Sequence, residues 1–152
     1  MKTLIVVCTD FSACSEKALR RGADIAAREN TRVFLIHVCG PRKGPAPGAP
    51  EWNGKLWYED SMGELKRARH KHFSGLSDTD VQYDTIPSAH PAIAICKVAK
   101  ETGASLIVLG SHGRTGVLRQ LLGSVAESTV RHAPCSVFVV RDGPESPELS
   151  PR

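Results

Sequence analysis

The stretch TLIVVCTDFSACSEKALRRGADIAARENTRVFLIHV, residues 3–38, predicts a strand, a helix and a second strand. Residues 3–9 form a short run rich in β-branched side chains, typical of a strand covered on both faces. Alanine and leucine recur at three- and four-residue spacing over Ala13–Glu29, which predicts a helix capped by Ser12. Residues 32–38 read as a second buried strand. Strand, helix and strand within about 35 residues form a βαβ unit, so we expect a parallel sheet.

The rest of the chain continues this alternation. It predicts helices at residues 59–72, 91–101 and Ser124–His132, and strands at residues 81–86, 105–109 and Ser136–Val140. Five strands alternating with four helices predict an α/β fold with a doubly wound parallel sheet. Residues 40–54 hold four prolines and four glycines, which predicts a flexible surface loop. We expect one domain, residues 1–141, followed by a disordered tail, residues 142–152.

Length and composition exclude several classes of protein. A chain of 152 residues, with 41% hydrophobic and 24% charged residues, has the size and composition of one globular domain. Its net charge of +4 is not concentrated in one tract, so nucleic acid is not an expected partner. The apolar run at residues 4–8 is too short for a signal peptide or a membrane span, so we expect a cytoplasmic protein. The five cysteines are widely spaced, which favours small buried hydrophobes over disulfides or a metal site.

Two segments follow strands whose ends face the usual ligand crevice of such a sheet. Asp10 follows the first strand, and the glycine-rich segment GSHGRTG, residues 110–116, follows the fourth. Glycines let backbone approach a phosphate, and the helix that starts near Ser124 points its first N–H groups toward an anion. Neither a Walker motif nor a dinucleotide fingerprint is present. Alternatively, Asp10 is a turn residue, Ser124 a helix cap and the glycines a plain loop.

The glycine spacing matches a known pattern. Gly110, two residues, Gly113, nine residues, then Gly123 and Ser124 follow the G-2x-G-9x-G-[S/T] nucleotide motif of the universal stress protein family. The chain resembles that family over residues 3–141, through TDFSACSEKAL (9–19), IHV (36–38) and ASLIVLGSHGRTGVLRQLLGSVAESTVRHAPCSVFVVR (104–141). The resemblance implies a Rossmann-like sheet of strand order 3-2-1-4-5 with helices on both faces. It also implies ATP binding, with Mg²⁺ or Mn²⁺, and a homodimer joined at Ser136–Val140.

The resemblance also implies roles for individual residues. Asp10 and the Val38 backbone would contact adenine and ribose, and Leu109 and Gly110 would line the sugar side. The phosphates would be bound by Gly113, Gly123, Ser124 and the amide of Val125. Independently, an unpaired fifth strand would aggregate, and pairing with a second copy would bury it.

Three hypotheses of function remain open at this point. The first is an ATP-binding sensor or regulator of the stress response, with no more than slow hydrolysis and an unidentified downstream protein partner. The second is an ATPase or phosphotransferase using the same pocket, with His112, Arg114 and a divalent metal acting on the phosphate. The third is a scaffold that binds no nucleotide, favoured by Cys8 and Ala89, where the family has proline and glycine.

Overall fold

A computed structural model of the chain describes residues 1–40, 54–113 and 122–141. Within them, five strands alternate with four helices. The strands are β1 (Leu4–Cys8), β2 (Arg32–Cys39), β3 (Val81–Pro87), β4 (Leu106–Gly110) and β5 (Ser136–Val140). The helices are α1 (Ala13–Glu29), α2 (Gly54–His72), α3 (Pro91–Thr102) and α4 (Ser124–His132). None of the helices in these ranges is long and apolar enough to span a membrane.

The five strands form one parallel sheet in the order β3-β2-β1-β4-β5, as predicted. β1 lies at the centre, and its side chains alternate between two hydrophobic clusters. Ile5 and Val7 pack with α1 and α2 on one face, while Val6 and Cys8 pack with α3 and α4 on the other. Both faces of the sheet are therefore covered by helices, which explains why its central strands are continuously apolar.

Most element boundaries fall within one residue of the prediction. α1, α4 and β5 have the predicted limits, and Ser12 caps α1 by accepting a hydrogen bond from the Ser15 amide. The largest difference is at α2, which begins at Gly54 and not at residue 59. No proline follows Pro50 in this region, so nothing in the backbone prevents the helix from starting earlier. Gly54 therefore belongs to a helix. The rest of the expected loop after Gly40, like the expected tail, lies outside the described residues.

The sheet order creates a crevice between two strands. β1 pairs with β2 on one side and with β4 on the other, so the connections leaving β1 and entering β4 run on opposite faces. At such a point the neighbouring connections turn toward opposite faces of the sheet. They leave a crevice outside the carboxyl ends of the two strands, where a ligand can bind. Asp10 and Gly113 both follow these ends, which places the two predicted segments at the same edge of the sheet.

Candidate functional site

A cleft of about 460 Å³ opens at the carboxyl ends of β1 and β4. Every residue predicted for the site lines it: Asp10, Val38, Leu109, Gly110, Gly113, Gly123, Ser124 and Val125. The structure thus brings together segments from both halves of the chain in one cavity. Arg114, which the enzyme hypothesis invokes, lies outside the described residues.

Asp10 stands in a tight turn that connects β1 to α1. The Thr9 amide still donates to the Ile36 carbonyl at 2.9 Å, so the β1–β2 ladder extends to the residue before Asp10. The Phe11 amide then donates to Thr9 Oγ1 at 3.0 Å, and the Ser12 amide donates to Asp10 Oδ1 at 3.0 Å. Asp10 is thus a turn residue, as in the plainer alternative, and at the same time faces the cleft.

Gly113 lies directly beside the Asp10 carboxylate. A β-carbon on Gly113 would lie 2.9 Å from Asp10 Oδ2, closer than such carbons approach other atoms in folded proteins. Gly113 is exposed, and among the described residues Asp10 Oδ2 is the only atom beyond its chain neighbours within 4 Å of that β-carbon position. Glycine at this position therefore allows the Asp10 carboxylate to lie directly against the loop that follows β4.

Close packing against α1 explains the glycine at position 110, whereas the sequence had suggested that this glycine lets the backbone approach a phosphate. It is the last residue of β4, paired with Val140, and a β-carbon there would lie 3.2 Å from the backbone carbon of Cys14. The first turn of α1 therefore packs directly on the end of β4. This close packing accounts for the residue, although Gly110 also lines the cleft.

Ser111 connects the end of β4 to β5 and to the start of α4. The sequence did not identify it as a residue of the site. It is 1% exposed; its amide donates to the Val140 carbonyl at 2.8 Å, and its carbonyl accepts from the Gly123 amide at 2.7 Å. Its hydroxyl lies 2.8 Å from His112 Nδ1 and 3.7 Å from Cys14 Sγ. The only signal in the sequence was its place between two motif glycines. His112 Nε2 is buried and has no hydrogen-bond partner among the described residues.

The start of α4 contributes backbone donors to the cleft. Gly123, not Ser124, is the N-cap, and no side chain caps this helix. The amides that follow an N-cap have no partner inside the helix, and Ser124 and Val125 supply two of them at the cleft wall. A β-carbon on Gly123 would lie 2.7 Å from the Ser111 carbonyl oxygen, so glycine is required for the loop to close there.

The remaining wall of the cleft is mostly apolar. Cys8, Val38, Ile95 and Leu109 line it, and burial raises the pKa of the Cys8 thiol, with a smaller contribution from Cys96. Cys8 is therefore a neutral thiol and packs as a small hydrophobe. Asp10 is the only carboxylate among the described residues that line the cleft. One side of the cleft can thus hold a flat apolar ring, and the other offers backbone amides to an anion.

Comparison with known proteins places this geometry in context. The model of the Universal stress protein family matches residues 1–141. Universal stress protein MJ0531 of Methanocaldococcus jannaschii is 35% identical over 141 residues, covering 90% of this chain and 81% of its own length.

Solved structures show the same fold. Hypothetical protein MJ0577 superposes with a TM-score of 0.77 at 25% identity, covering 95% of this chain and 99% of its own. A universal stress protein solved in complex with cAMP superposes with a TM-score of 0.67 at 24% identity, covering 91% of this chain and 96% of its own.

Proposed function

Because the chain belongs to the universal stress protein family, we propose that it binds ATP in the cleft between β1 and β4 and acts in the cytoplasm as a nucleotide-dependent sensor or regulator of the stress response. One observation carries the proposal. The residues expected to contact a nucleotide come from four separate segments of the chain, and all of them line one cavity.

The lining of the cleft suggests how the nucleotide would lie. The apolar wall formed by Val38, Ile95 and Leu109 would hold the adenine ring. Asp10 would accept hydrogen bonds from the ribose hydroxyls, since an ionised carboxylate is an acceptor only. The Ser124 and Val125 amides at the start of α4 would donate to phosphate oxygens, helped by the positive end of the helix dipole. The complex of a universal stress protein with cAMP supports an adenine nucleotide as the class of ligand.

We expect a divalent cation to reach this site together with the nucleotide. The described residues hold no cluster of three or more histidine, cysteine or carboxylate side chains that could bind a metal ion. Mg²⁺ is commonly held by substrate phosphates and one or two carboxylates. Here Asp10 is the carboxylate that lines the cleft, so Mg²⁺ or Mn²⁺ would reach the site on the phosphates of ATP.

A homodimer formed through β5 is part of the proposal. β5 is an edge of the sheet, and its Phe138 side chain is 42% exposed. Antiparallel pairing of β5 with a second copy would satisfy the edge backbone groups and cover this apolar surface. Ser111, in the cleft, donates its amide to Val140 of the same strand, so the nucleotide site and the proposed interface are directly connected.

The first experiment is a thermal unfolding scan of nucleotide-free protein with and without ATP and magnesium, followed by a phosphate-release assay. A ligand at about 100 times its dissociation constant stabilises the folded state by about 2.7 kcal/mol, which raises the midpoint of a domain of this size by about 5–10 °C. A rise without rapid phosphate release is the expected result. Rapid release would identify an ATPase or phosphotransferase, and no rise would identify a scaffold that binds no nucleotide.

A further inference from the structure

We propose that His37 is a positioning residue of the nucleotide site, whose imidazole fixes the turn that carries Asp10. This role rests on the ATP binding proposed above. His37 lies in β2 and is 8% exposed. It is not among the residues that line the cleft, so it would act through Asp10 and not on the ligand.

The first contact of His37 is made to the backbone just before Asp10. Its Nδ1 lies 2.8 Å from the Thr9 carbonyl oxygen. A carbonyl can only accept, so Nδ1 carries the proton and donates. The Thr9 carbonyl belongs to the peptide unit that joins Thr9 to Asp10. The hydrogen bond therefore helps to fix the orientation of the peptide plane between Thr9 and Asp10.

The second contact is made to the residue just after Asp10. The rings of His37 and Phe11 lie with centroids 4.4 Å apart, at an interplanar angle of 41°. Phe11 has a φ of 64°, a left-handed conformation that is rare for a bulky side chain. Such a conformation persists only where the surroundings hold it in place. The His37 ring is one of those surroundings, together with the hydrogen bond from the Phe11 amide to Thr9 Oγ1.

Together the two contacts hold the turn on both sides of Asp10. The Thr9 amide donates to the Ile36 carbonyl at the end of the β1–β2 ladder, and beyond it the turn is also held by side-chain hydrogen bonds at Thr9 and Asp10. The Asp10 carboxylate must also fit beside Gly113, where a β-carbon would be only 2.9 Å from Oδ2. A small rotation of the turn would therefore move the carboxylate away from the β4 loop and from the ribose.

Two substitutions separate the hydrogen bond from the ring contact. His37→Phe keeps an aromatic ring but has no N–H to donate to Thr9. His37→Asn keeps an N–H donor at the equivalent distance from the backbone but has no ring. Because one internal hydrogen bond contributes about 1 kcal/mol, we expect ATP to bind His37→Phe about five- to tenfold more weakly by isothermal titration calorimetry. His37→Asn should bind within about threefold of the wild-type protein.

The route through Asp10 is tested by a double-mutant cycle. If His37 acts by placing Asp10, His37→Phe should cause less than a twofold further loss of ATP affinity in an Asp10→Ala background. Thr85→Val is the matched control. Thr85 is buried, pairs with His37 in the sheet register, and its hydroxyl has no partner among the described residues. This control should leave ATP affinity unchanged.

The outcomes distinguish this role from the proposed function. Wild-type affinity in His37→Phe, or equal losses on the wild-type and Asp10→Ala backgrounds, would overturn the positioning role and leave ATP binding in place. No ATP binding by the wild-type protein would overturn both. Should His37→Phe fail to fold, His37→Leu replaces it, because leucine has no N–H to donate to Thr9 and, compared with His37→Asn, which also lacks the ring, it isolates the hydrogen bond. The same loss of about five- to tenfold is expected, and wild-type affinity in folded His37→Leu would contradict the role.

Discussion

Asp10 and Gly113 are distant in the sequence, yet each depends on the other in the folded protein. The Asp10 carboxylate occupies the space that a side chain on residue 113 would fill. Gly110 and Gly123, in the same motif, are glycine because α1 and the Ser111 carbonyl approach their backbones. The motif thus combines two packing requirements with one position that faces the proposed ligand.

Gly113→Val should weaken ATP binding at least tenfold while leaving the fold intact. The valine side chain would displace the Asp10 carboxylate and occupy space that the nucleotide needs beside the loop after β4. Position 113 is exposed, so the hydrophobic core is not affected. Titration calorimetry measures the affinity, and chemical denaturation should show a change in unfolding free energy below about 0.5 kcal/mol.

Gly75→Val is the matched control, since a β-carbon there meets no atom within 4 Å. It should change neither the affinity nor the stability. Unchanged ATP affinity in Gly113→Val would remove the Asp10–Gly113 pair from the proposed site.

At the scale of elements, β5 has two different edges. One pairs with β4 along its whole length, from Leu106↔Ser136 to Gly110↔Val140. The other has no strand beside it within the described residues, and Phe138, in the middle of the strand, is exposed. An open edge strand with four consecutive apolar residues, 137–140, is a site of association unless a second chain covers it.

Phe138→Glu should convert the proposed dimer into monomers. A glutamate on each copy would bring two carboxylates close together across the two-fold axis. Forming the dimer would then require both charges to lose their hydration, which disfavours association. Light scattering should show half the mass of the wild-type assembly, and circular dichroism should show the same secondary structure.

Ile93→Glu is the control for that experiment. Ile93 is 66% exposed on α3, so it tests the effect of removing an exposed apolar residue elsewhere. It should leave the dimer intact. A Phe138→Glu protein that remains dimeric would place the interface on another surface.

At the scale of the whole molecule, an ionic contact links α1 to the end of α2. Glu16 accepts hydrogen bonds from Lys71 and from His72 Nε2, the latter at 3.0 Å. The hydrogen bond from Lys71 is the largest cause that lowers the pKa of Glu16, with smaller contributions from His72. A carboxylate with a lowered pKa stabilises the folded state above its ordinary pKa, and this stabilisation is lost as the pH falls through the folded value.

Glu16→Gln should therefore lower the unfolding free energy at pH 7, by about 0.2–1 kcal/mol because the contact is partly exposed. The difference from the wild-type protein should shrink as the pH falls below the ordinary glutamate value of about 4.3. Denaturation curves at several pH values measure it. A difference that persists at the lowest pH would show that Glu16 contributes by packing and not by its charge.

The sequence by itself determined the elements and the architecture. Hydrophobic periodicity, the Ser12 cap and the β-branched runs are local properties, so they predict strands and helices without knowledge of the fold. The alternation of strands and helices predicted a doubly wound parallel sheet, and the glycine spacing, through its family resemblance, predicted the strand order and the residues that line the cleft. The start of α2 was predicted less well, because no local signal marks it.

Only the tertiary structure decided what each site residue touches. The contact of Gly113 with Asp10 and the packing of Gly110 on Cys14 join residues from opposite ends of the chain, and the hydrogen bonds of Ser111 tie the end of β4 to β5 and to the start of α4. The bond from His37 to the Thr9 carbonyl depends on the register between two strands. Such contacts follow from the packing of complete elements, and no pattern within a short stretch of sequence specifies them.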